Sequence, residues 1–441
     1  MFQNTIAAIS TADAVGAVSM IRISGDEALA IASRMIRKDL TTAKGYTIHY
    51  GTVMDGDEPV DEVLVSVFRG PHSYTGEDTA EISCHGGIYI TRRVLSIALG
   101  LGCTMARKGE FTERAFLNGK MDLAQAEGVN DLILAKDRIQ AKSAVHSLKG
   151  SVARLLEPLE EELTQIIANI EVNIDYPEYD DIHQLTEEEI LPAAERWLVQ
   201  IRKLIEEAQS AVTVREGIDT VILGKPNVGK SSLLNALLEE DKAIVTEIAG
   251  TTRDLVEGAV RVGGVTLNLI DTAGIRESED RVEKIGIQKS IEALEKAKLV
   301  ILMLDASKET DEDDRKLLEM TENRPRIIVY NKSDIRSVEN GISISALNRD
   351  ISSLTDALRA LFEKELLTAE SDTLNNERQI GLALQAEQSM KDAVQALKDG
   401  MELDLVTIDL ENSWRALREI TGKAGSEDLL DEIFSRFCLG K

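Results

Sequence analysis

The chain has 441 residues, enough for two or three domains that each bury a core. Hydrophobic residues make up 43% and charged residues 29%, and the formal net charge is −27. So acidic a surface repels phosphates, which argues against non-specific nucleic-acid binding and leaves any RNA contact to a local basic patch or a partner.

The longest apolar runs, such as LVILMLDA (299–306), fall far short of the ~20 residues of a membrane helix. The N-terminus MFQNTIAAIS has no basic segment followed by an apolar one, so no secretory signal is expected. Three cysteines, Cys84, Cys103 and Cys438, fit a reducing cytoplasm better than a disulfide framework.

Along the chain, SMIRISG (19–25) and VDEVLVSVFRG (60–70) read as strands, with EALAIASRMI (27–36) as a helix between them. Residues 1–118 therefore predict an α/β domain, and the turn-rich segment YTGEDTAEISCHGG (74–87) is the kind that carries function. Arg92, Arg93, Arg107, Lys108, Arg114 and Lys120 form a candidate basic patch, or a solvated mixed face. From Leu123 to Asp175 apolar residues recur at three- and four-residue spacing, and Pro177 should end that run. A second helical stretch covers Glu187 to about Val212, and residues 372–437 are helical again. About 70 amphipathic helical residues rarely make a core alone, so this tail should pack with residues 120–212. The expected domains are 1–118 (N-terminal, α/β), 119–214 (helical, first part), 215–370 (nucleotide-binding) and 371–441 (helical, second part).

Residues 215–370 alternate strand and helix signals, the pattern of a doubly wound sheet. GKPNVGKS (224–231) fits the phosphate-loop pattern and lies between the strand-like TVIL (220–223) and the helix-like SSLLNALL (231–238). Gly224 and Gly229 let backbone N–H groups face phosphates, Lys230 supplies charge, and the Ser231 hydroxyl suits Mg²⁺. DTAG (271–274) ends the strand VTLNLI (265–270); Asp271 can reach the Mg²⁺ shell through water, and the Gly274 N–H can sense a γ-phosphate. NKSD (331–334) ends RIIVY (326–330), and the acceptor-only carboxylate of Asp334 suits the two adjacent donors of guanine, which adenine lacks. In SAL (345–347) the N–H of Ala346 is placed to meet guanine O6. GTTRD (250–254) contributes Thr252 as a second Mg²⁺ hydroxyl. Gly263-Gly264 marks a hairpin between the strands near 255–262 and 265–270. GTP binding follows from this ordered set, with hydrolysis inferred from it.

Ile275 stands where many small GTPases use a Gln to orient water, so another group must do it. Glu277, Glu279 and Glu283 are candidates, and the Asn227 carboxamide oxygen could hold a monovalent cation against the phosphates.

The whole chain resembles the tRNA modification GTPase MnmE (TrmE) family. The resemblance is carried by GEDTAEISCHGG (76–87), GEFTERAFLNGKMDLAQAE (109–127), GKPNVGKSSLLN (224–235), IAGTTRD (248–254), DTAGIR (271–276), NKSD (331–334) and the terminal FCLGK (437–441). It implies a folate-binding N-terminal domain that dimerises, a helical domain, and a Ras-like G domain inserted in it. It implies homodimers that work with an FAD-bearing, MnmG-type flavoprotein in a heterotetramer or larger complex. Together they would add an aminomethyl or carboxymethylaminomethyl group at C5 of the wobble uridine of certain tRNAs. A tetrahydrofolate (5-formyl or 5,10-methylene) would supply the carbon; the net charge of −27 leans tRNA contact towards the partner.

By resemblance, the GTP site takes in Asn227, Val228, Gly229, Lys230, Ser231 and Ser232, then Thr246, Glu247, Ile248, Ala249, Gly250, Thr251 and Thr252. Asp271, Thr272, Ala273 and Gly274, then Asn331, Lys332, Asp334, Ser345, Ala346 and Leu347, complete it. Potassium would be held by Asn227, Thr246, Ile248 and Thr251, and magnesium by Ser231 and Thr252. Glu283 matches the family's water-positioning glutamate, and Cys438 its cysteine implicated in modification chemistry. Arg22, Glu81, Lys120 and Lys441 match folate-binding positions, where cations suit the anionic glutamyl tail. One departure is STADAVGAVSM (10–20), poorer in Gly than the family's usual stretch there. A regulatory GTPase acting on ribosomal particles is the rival reading, and an ATP-driven P-loop enzyme a third.

Overall fold

The computed structural model describes residues 4–175, 187–240, 256–270, 294–339, 341–369, 371–424, 427–438 and 440. The chain divides into two units: residues 1–201 together with 377–441, and residues 202–376.

The first unit opens with a six-stranded sheet of β1 (Ile6–Ile9), β2 (Val18–Ser24), β3 (Thr47–Asp55), β4 (Glu58–Phe68), β5 (Thr79–His85) and β6 (Thr104–Met105), in the order β3-β4-β5-β2-β1-β6. Neighbours pair antiparallel except β1 and β6, which are parallel. Side chains alternate across a strand. Ile21 and Ile23 of β2, Val63, Val65 and Val67 of β4 and Ile82 of β5 therefore share one face. That face packs on α1 (Ala28–Ile36) and α2 (Ile88–Gly100) through Ile31, Met35, Val94 and Leu95. On the other side of the sheet, Ile6 and Ala8 of β1 pack on Phe111 of α3 (Glu110–Leu117).

The helices α4 (Leu123–Leu134), α5 (Arg138–Leu148), α6 (Ser151–Asp175) and α7 (Glu187–Glu216) follow. A capping box starts α4: Asp122 accepts from the Gln125 N–H at 2.7 Å, and the Gln125 side chain accepts from the Asp122 N–H at 2.9 Å. α6 is described as far as Asp175, and Pro177, expected to end the run, lies outside the described residues. The tail returns to this unit. Trp414 Nε1 donates to Thr164 Oγ1 at 2.8 Å, and Lys423 pairs with Glu160 at 2.8 Å. Arg378 grips the largely buried carboxylate of Glu127 with both arms, at 2.6 and 2.9 Å. The expectation that the tail packs with residues 120–212 is thereby met.

The second unit carries β7 (Ile218–Gly224), α8 (Lys230–Glu240), β8 (Val256–Val262), β9 (Val265–Ile270), β10 (Leu299–Asp305), α9 (Glu312–Met320), β11 (Arg326–Asn331), β12 (Ile342–Ile344), α10 (Ser352–Leu361) and α11 (Glu363–Ala369). Its sheet order is β12-β11-β10-β7-β9-β8, parallel except for β8. Gly263 (φ 63°) and Gly264 (φ 91°) make the tight turn between β8 and β9, a left-handed conformation that glycine adopts without strain. Alternate residues of β7 and β10 feed two cores. Ile222, Ile301 and Met303 meet Leu233, Leu237, Leu354 and Leu358 on one face, and Val221, Val300 and Leu302 meet Leu294 and Leu317 on the other. β8 and β9 lie on one side of β7 and β10 on the other, so the chain reverses direction at β7. Ligands of such sheets bind in the crevice at the carboxyl ends of the strands where that reversal occurs. The phosphate loop begins there. In the remainder of the first unit, the tail forms α12 (Glu377–Lys398), α13 (Leu403–Ile420) and α14 (Glu427–Ser435).

Candidate functional site

The loop after β7 turns into α8 with Asn227 at φ 61° and Gly229 at φ 102°. A Cβ at Gly229 would collide with Asn331 Nδ2, so only glycine fits there. Lys230 opens α8, and its ammonium donates to the Gly224 and Lys225 carbonyls at 2.8 and 2.9 Å. Burial pushes this ammonium below the ordinary lysine range, and an arriving phosphate would oppose that shift. Asn227 and Ser231 are exposed at the same loop, as ligands for cations on a phosphate must be.

The guanine-side motif is tied to this loop. Asn331, 3% exposed, donates from Nδ2 to the Val228 carbonyl at 2.8 Å and accepts the Ala346 N–H at 3.0 Å. In this structure, the Ala346 N–H expected at guanine O6 is engaged by Asn331, and reaching a base would need that bond to yield. Asp334 Oδ1 accepts the Ser345 hydroxyl at 2.6 Å, which aims the carboxylate. Lys332 (φ 69°) pairs with Asp305 at 2.6 Å. Burial opposes ionisation of Asp305, but hydrogen bonds from Lys332 and Ser307 outweigh it and hold the carboxyl below its usual range. Leu347 is 80% exposed beside them. Thr246 to Thr252, Asp271 to Gly274, Ile275, Glu277, Glu279 and Glu283 lie outside the described residues.

Arg22 and Glu81, 59 residues apart in sequence, are register partners on β2 and β5. Arg22 Nε donates to Glu81 Oε1 at 2.8 Å, and the guanidinium lies 5.3 Å from the Tyr74 ring and 5.5 Å from the Phe111 ring. The chain terminus reaches the same place. The Gly440 carbonyl accepts the Ser10 hydroxyl at 3.1 Å and an Arg22 N–H at 3.5 Å. Phe434 and Phe437 pack with Phe116 and Leu123, and a Cβ at Gly109 would lie 2.6 Å from the Phe434 carbonyl. Cys438 is exposed, and its carbonyl accepts the Gly109 N–H at 3.4 Å. Lys120 Nζ donates to the Pro71 carbonyl at 2.7 Å, beside Gly76 on the loop that also carries Tyr74. Lys441 lies outside the described residues.

The basic patch does not form. Arg92 pairs with Asp13, Arg93 with Asp55, and Arg107 with Glu113. Arg114 is fully buried between Glu77 and Glu110. Nearness in sequence put these cations in one group, but folding gives the four arginines acidic partners of their own, and Lys120 meets the Pro71 carbonyl.

Two features had no signal in the sequence. One is the Arg378–Glu127 pair. The other is Lys225, whose ammonium lies 2.6 Å from Asp311 and 2.7 Å from Asp314. The spacing Asp311-x-x-Asp314 reads as a helix cap, which it is, but says nothing of a lysine 86 residues earlier.

A phosphate loop at the chain-reversal strand, joined to an NKSD strand end with an aimed carboxylate, defines a P-loop GTPase. Its G domain is inserted in the sequence of a helical domain that follows an N-terminal α/β domain. The family model for the MnmE helical domain matches residues 123–438, and that for the GTP-binding protein TrmE N-terminus matches residues 5–120. The tRNA modification GTPase MnmE of Pediococcus pentosaceus is 46% identical over 99% of this chain and 98% of its own length. Those of Enterococcus faecalis (46% identical; 99% and 98%) and Bacillus mycoides (43%; 99% and 99%) are similar throughout. The chain belongs to the tRNA modification GTPase MnmE family. Among the described residues, no helix is long and apolar enough to cross a membrane.

Proposed function

We propose that this GTPase is potassium-dependent and acts in the cytoplasm as a homodimer with an FAD-bearing, MnmG-type flavoprotein. The pair adds an aminomethyl or carboxymethylaminomethyl group at C5 of a tRNA wobble uridine. A 5-formyl or 5,10-methylene tetrahydrofolate delivers the carbon, and tRNA is held mainly by the partner.

The observation that carries this reading is the convergence of Arg22, Glu81 and the terminal segment through Gly440 on one face of the N-terminal sheet. The donor set fits folate. Glu81 can accept from paired N–H groups of a pterin, with Arg22, bonded to Glu81, fixing that carboxylate, while Lys120 suits a carboxylate of the glutamyl tail and Lys441 is a further cation at the terminus. When bound, the folate supplies a one-carbon unit; the chain's own residues bind and orient it. Cys438 is the exposed thiol at this terminus. Burial raises the Cys84 thiol and pushes that of Cys103 up to about 12, so neither competes as a thiolate at neutral pH.

In the G domain, Asn227 and Ser231 are exposed at the loop where a monovalent cation and Mg²⁺ would sit. Bound there, the cations offset charge that develops on the phosphates. Thr246, Ile248 and Thr251 would complete the potassium shell and Thr252 the magnesium shell. Glu283 would position the attacking water, the task Ile275 cannot perform.

Equilibrium binding of 5-formyltetrahydrofolate tests the reading. Native protein should bind it, and Arg22→Ala should weaken binding at least ~10-fold, the scale of a lost charge-assisted contact. Absence of folate binding by the native protein would favour a purely regulatory GTPase.

A further inference from the structure

We propose that Lys225 is a positioning residue: its ammonium, clamped by Asp311 and Asp314 at the start of α9, fixes the turn of the phosphate loop that presents Asn227. This rests on the reading of residues 224–231 as the phosphate loop.

The clamp is built from both sides. Lys225 Nζ lies 2.6 Å from Asp311 Oδ2 and 2.7 Å from Asp314 Oδ2. Those carboxylates have little freedom. Asp311 Oδ1 accepts the N–H groups of Asp313 and Asp314 at 3.1 and 3.2 Å, and Asp314 Oδ2 accepts the Asp311 N–H at 3.2 Å. The Asp314 side chain is only 7% exposed. The anchor is thus a reciprocally capped helix start rather than a pair of loose surface acids.

The far end of the loop is pinned as well, by Asn331 Nδ2 on the Val228 carbonyl at 2.8 Å. Between the two pins lie only Pro226, whose ring fixes φ, and Asn227, held at φ 61°. The side chain at 225 and the carbonyl at 228 together leave the tip of the loop little room to turn. The Lys225 carbonyl also receives Lys230 Nζ at 2.9 Å, so the same residue sets one of the two rests of the phosphate-binding lysine.

Lys225 is unsuited to a direct role on phosphate. Two carboxylates already more than neutralise its charge. An unbraced loop keeps its chemistry but must be ordered by the nucleotide, so the loss should fall on GTP affinity before turnover.

The test measures steady-state GTP hydrolysis by the full chain for Lys225→Met, Lys225→Arg, Asp314→Asn and the Lys225→Met/Asp314→Asn double variant, with Lys230→Ala as reference. Met keeps the length of the lysine stem and removes only the charge. We expect Lys225→Met to raise KM about tenfold with kcat within threefold, and Lys225→Arg to restore KM to within threefold of native. The double variant should be no worse than the poorer single one, the non-additivity of two ends of one contact. Overturning results are a Lys225→Met KM within twofold of native, additive losses in the double variant, or equal losses for Arg and Met. Should Lys230→Ala retain native turnover, the phosphate-loop reading itself fails, whatever Lys225 does.

Discussion

Asn331→Ala cuts the link between the phosphate loop and the guanine-side loop. The side chain is 3% exposed and makes two hydrogen bonds, to the Val228 carbonyl at 2.8 Å and from the Ala346 N–H at 3.0 Å. Both backbone partners belong to buried residues. Truncation strands an acceptor and a donor, each costing about 1–3 kcal/mol, so about 2–6 kcal/mol in all. Loop relaxation and entering water place the expected loss near the lower end, about 3 kcal/mol, or roughly a hundredfold. It divides between stability of the nucleotide-binding unit and affinity for GTP. Asn331→Asp separates the two bonds: it keeps an acceptor for Ala346 but sets a carboxylate against the Val228 carbonyl. The assay is binding of a fluorescent GTP analogue, with hydrogen exchange at the β7 and β11 amides. Both variants should bind at least tenfold more weakly, with faster exchange in Asn331→Ala. Native affinity and exchange in Asn331→Ala would refute the claim that this side chain holds the two loops together.

In the helical domain, Arg378→Met leaves the Glu127 carboxylate, 10% exposed, with the Gln379 amide at 2.7 Å but no cation. Denaturant unfolding should show a loss of about 3–5 kcal/mol, part of it recovered by adding Glu127→Gln; no loss would mean water or another group replaces the arginine. Hydrogen bonding from Lys225 lowers the Asp311 carboxyl from 3.8 to about 2. Its folded value is depressed, so the pair favours the native state at pH values above 3.8, and that contribution disappears as pH falls through about 2. A carboxyl NMR titration should place its midpoint near that lower value, and Lys225→Met should move it upward; an unshifted midpoint in native protein would contradict the pairing. Cys438→Ser should spare GTP hydrolysis and abolish wobble-uridine modification in a reconstituted reaction. Modification retained by that variant would reduce Cys438 to a structural role.

The joins of the phosphate loop and of NKSD to their strands were legible because each of these motifs is contiguous and meets a strand end. GKPNVGKS follows β7, NKSD ends β11, and the Gly263-Gly264 turn announces its hairpin through the positive φ it requires. The amphipathic period of 372–437 likewise revealed helices in need of a partner. The contacts that bind those pieces together were hidden, because they join residues far apart in sequence. Arg22 and Glu81 meet only once β2 and β5 pair, and Glu127 waits 251 residues for Arg378. The basic patch shows the opposite error. Arg92, Arg93 and Arg114 are close in sequence, yet Asp13, Asp55, Glu77 and Glu110 come from elsewhere to claim them.

On the function proposed for it, this GTPase serves wobble-uridine modification through a folate held beside Arg22 and Glu81. Mass analysis of tRNA nucleosides, from cells lacking the protein and from the same cells carrying native or Arg22→Ala protein, tests it most directly. The aminomethyl-type wobble uridines should vanish without the protein, return with the native chain, and stay absent or scarce with Arg22→Ala. Unchanged wobble uridines in cells lacking the protein would contradict it.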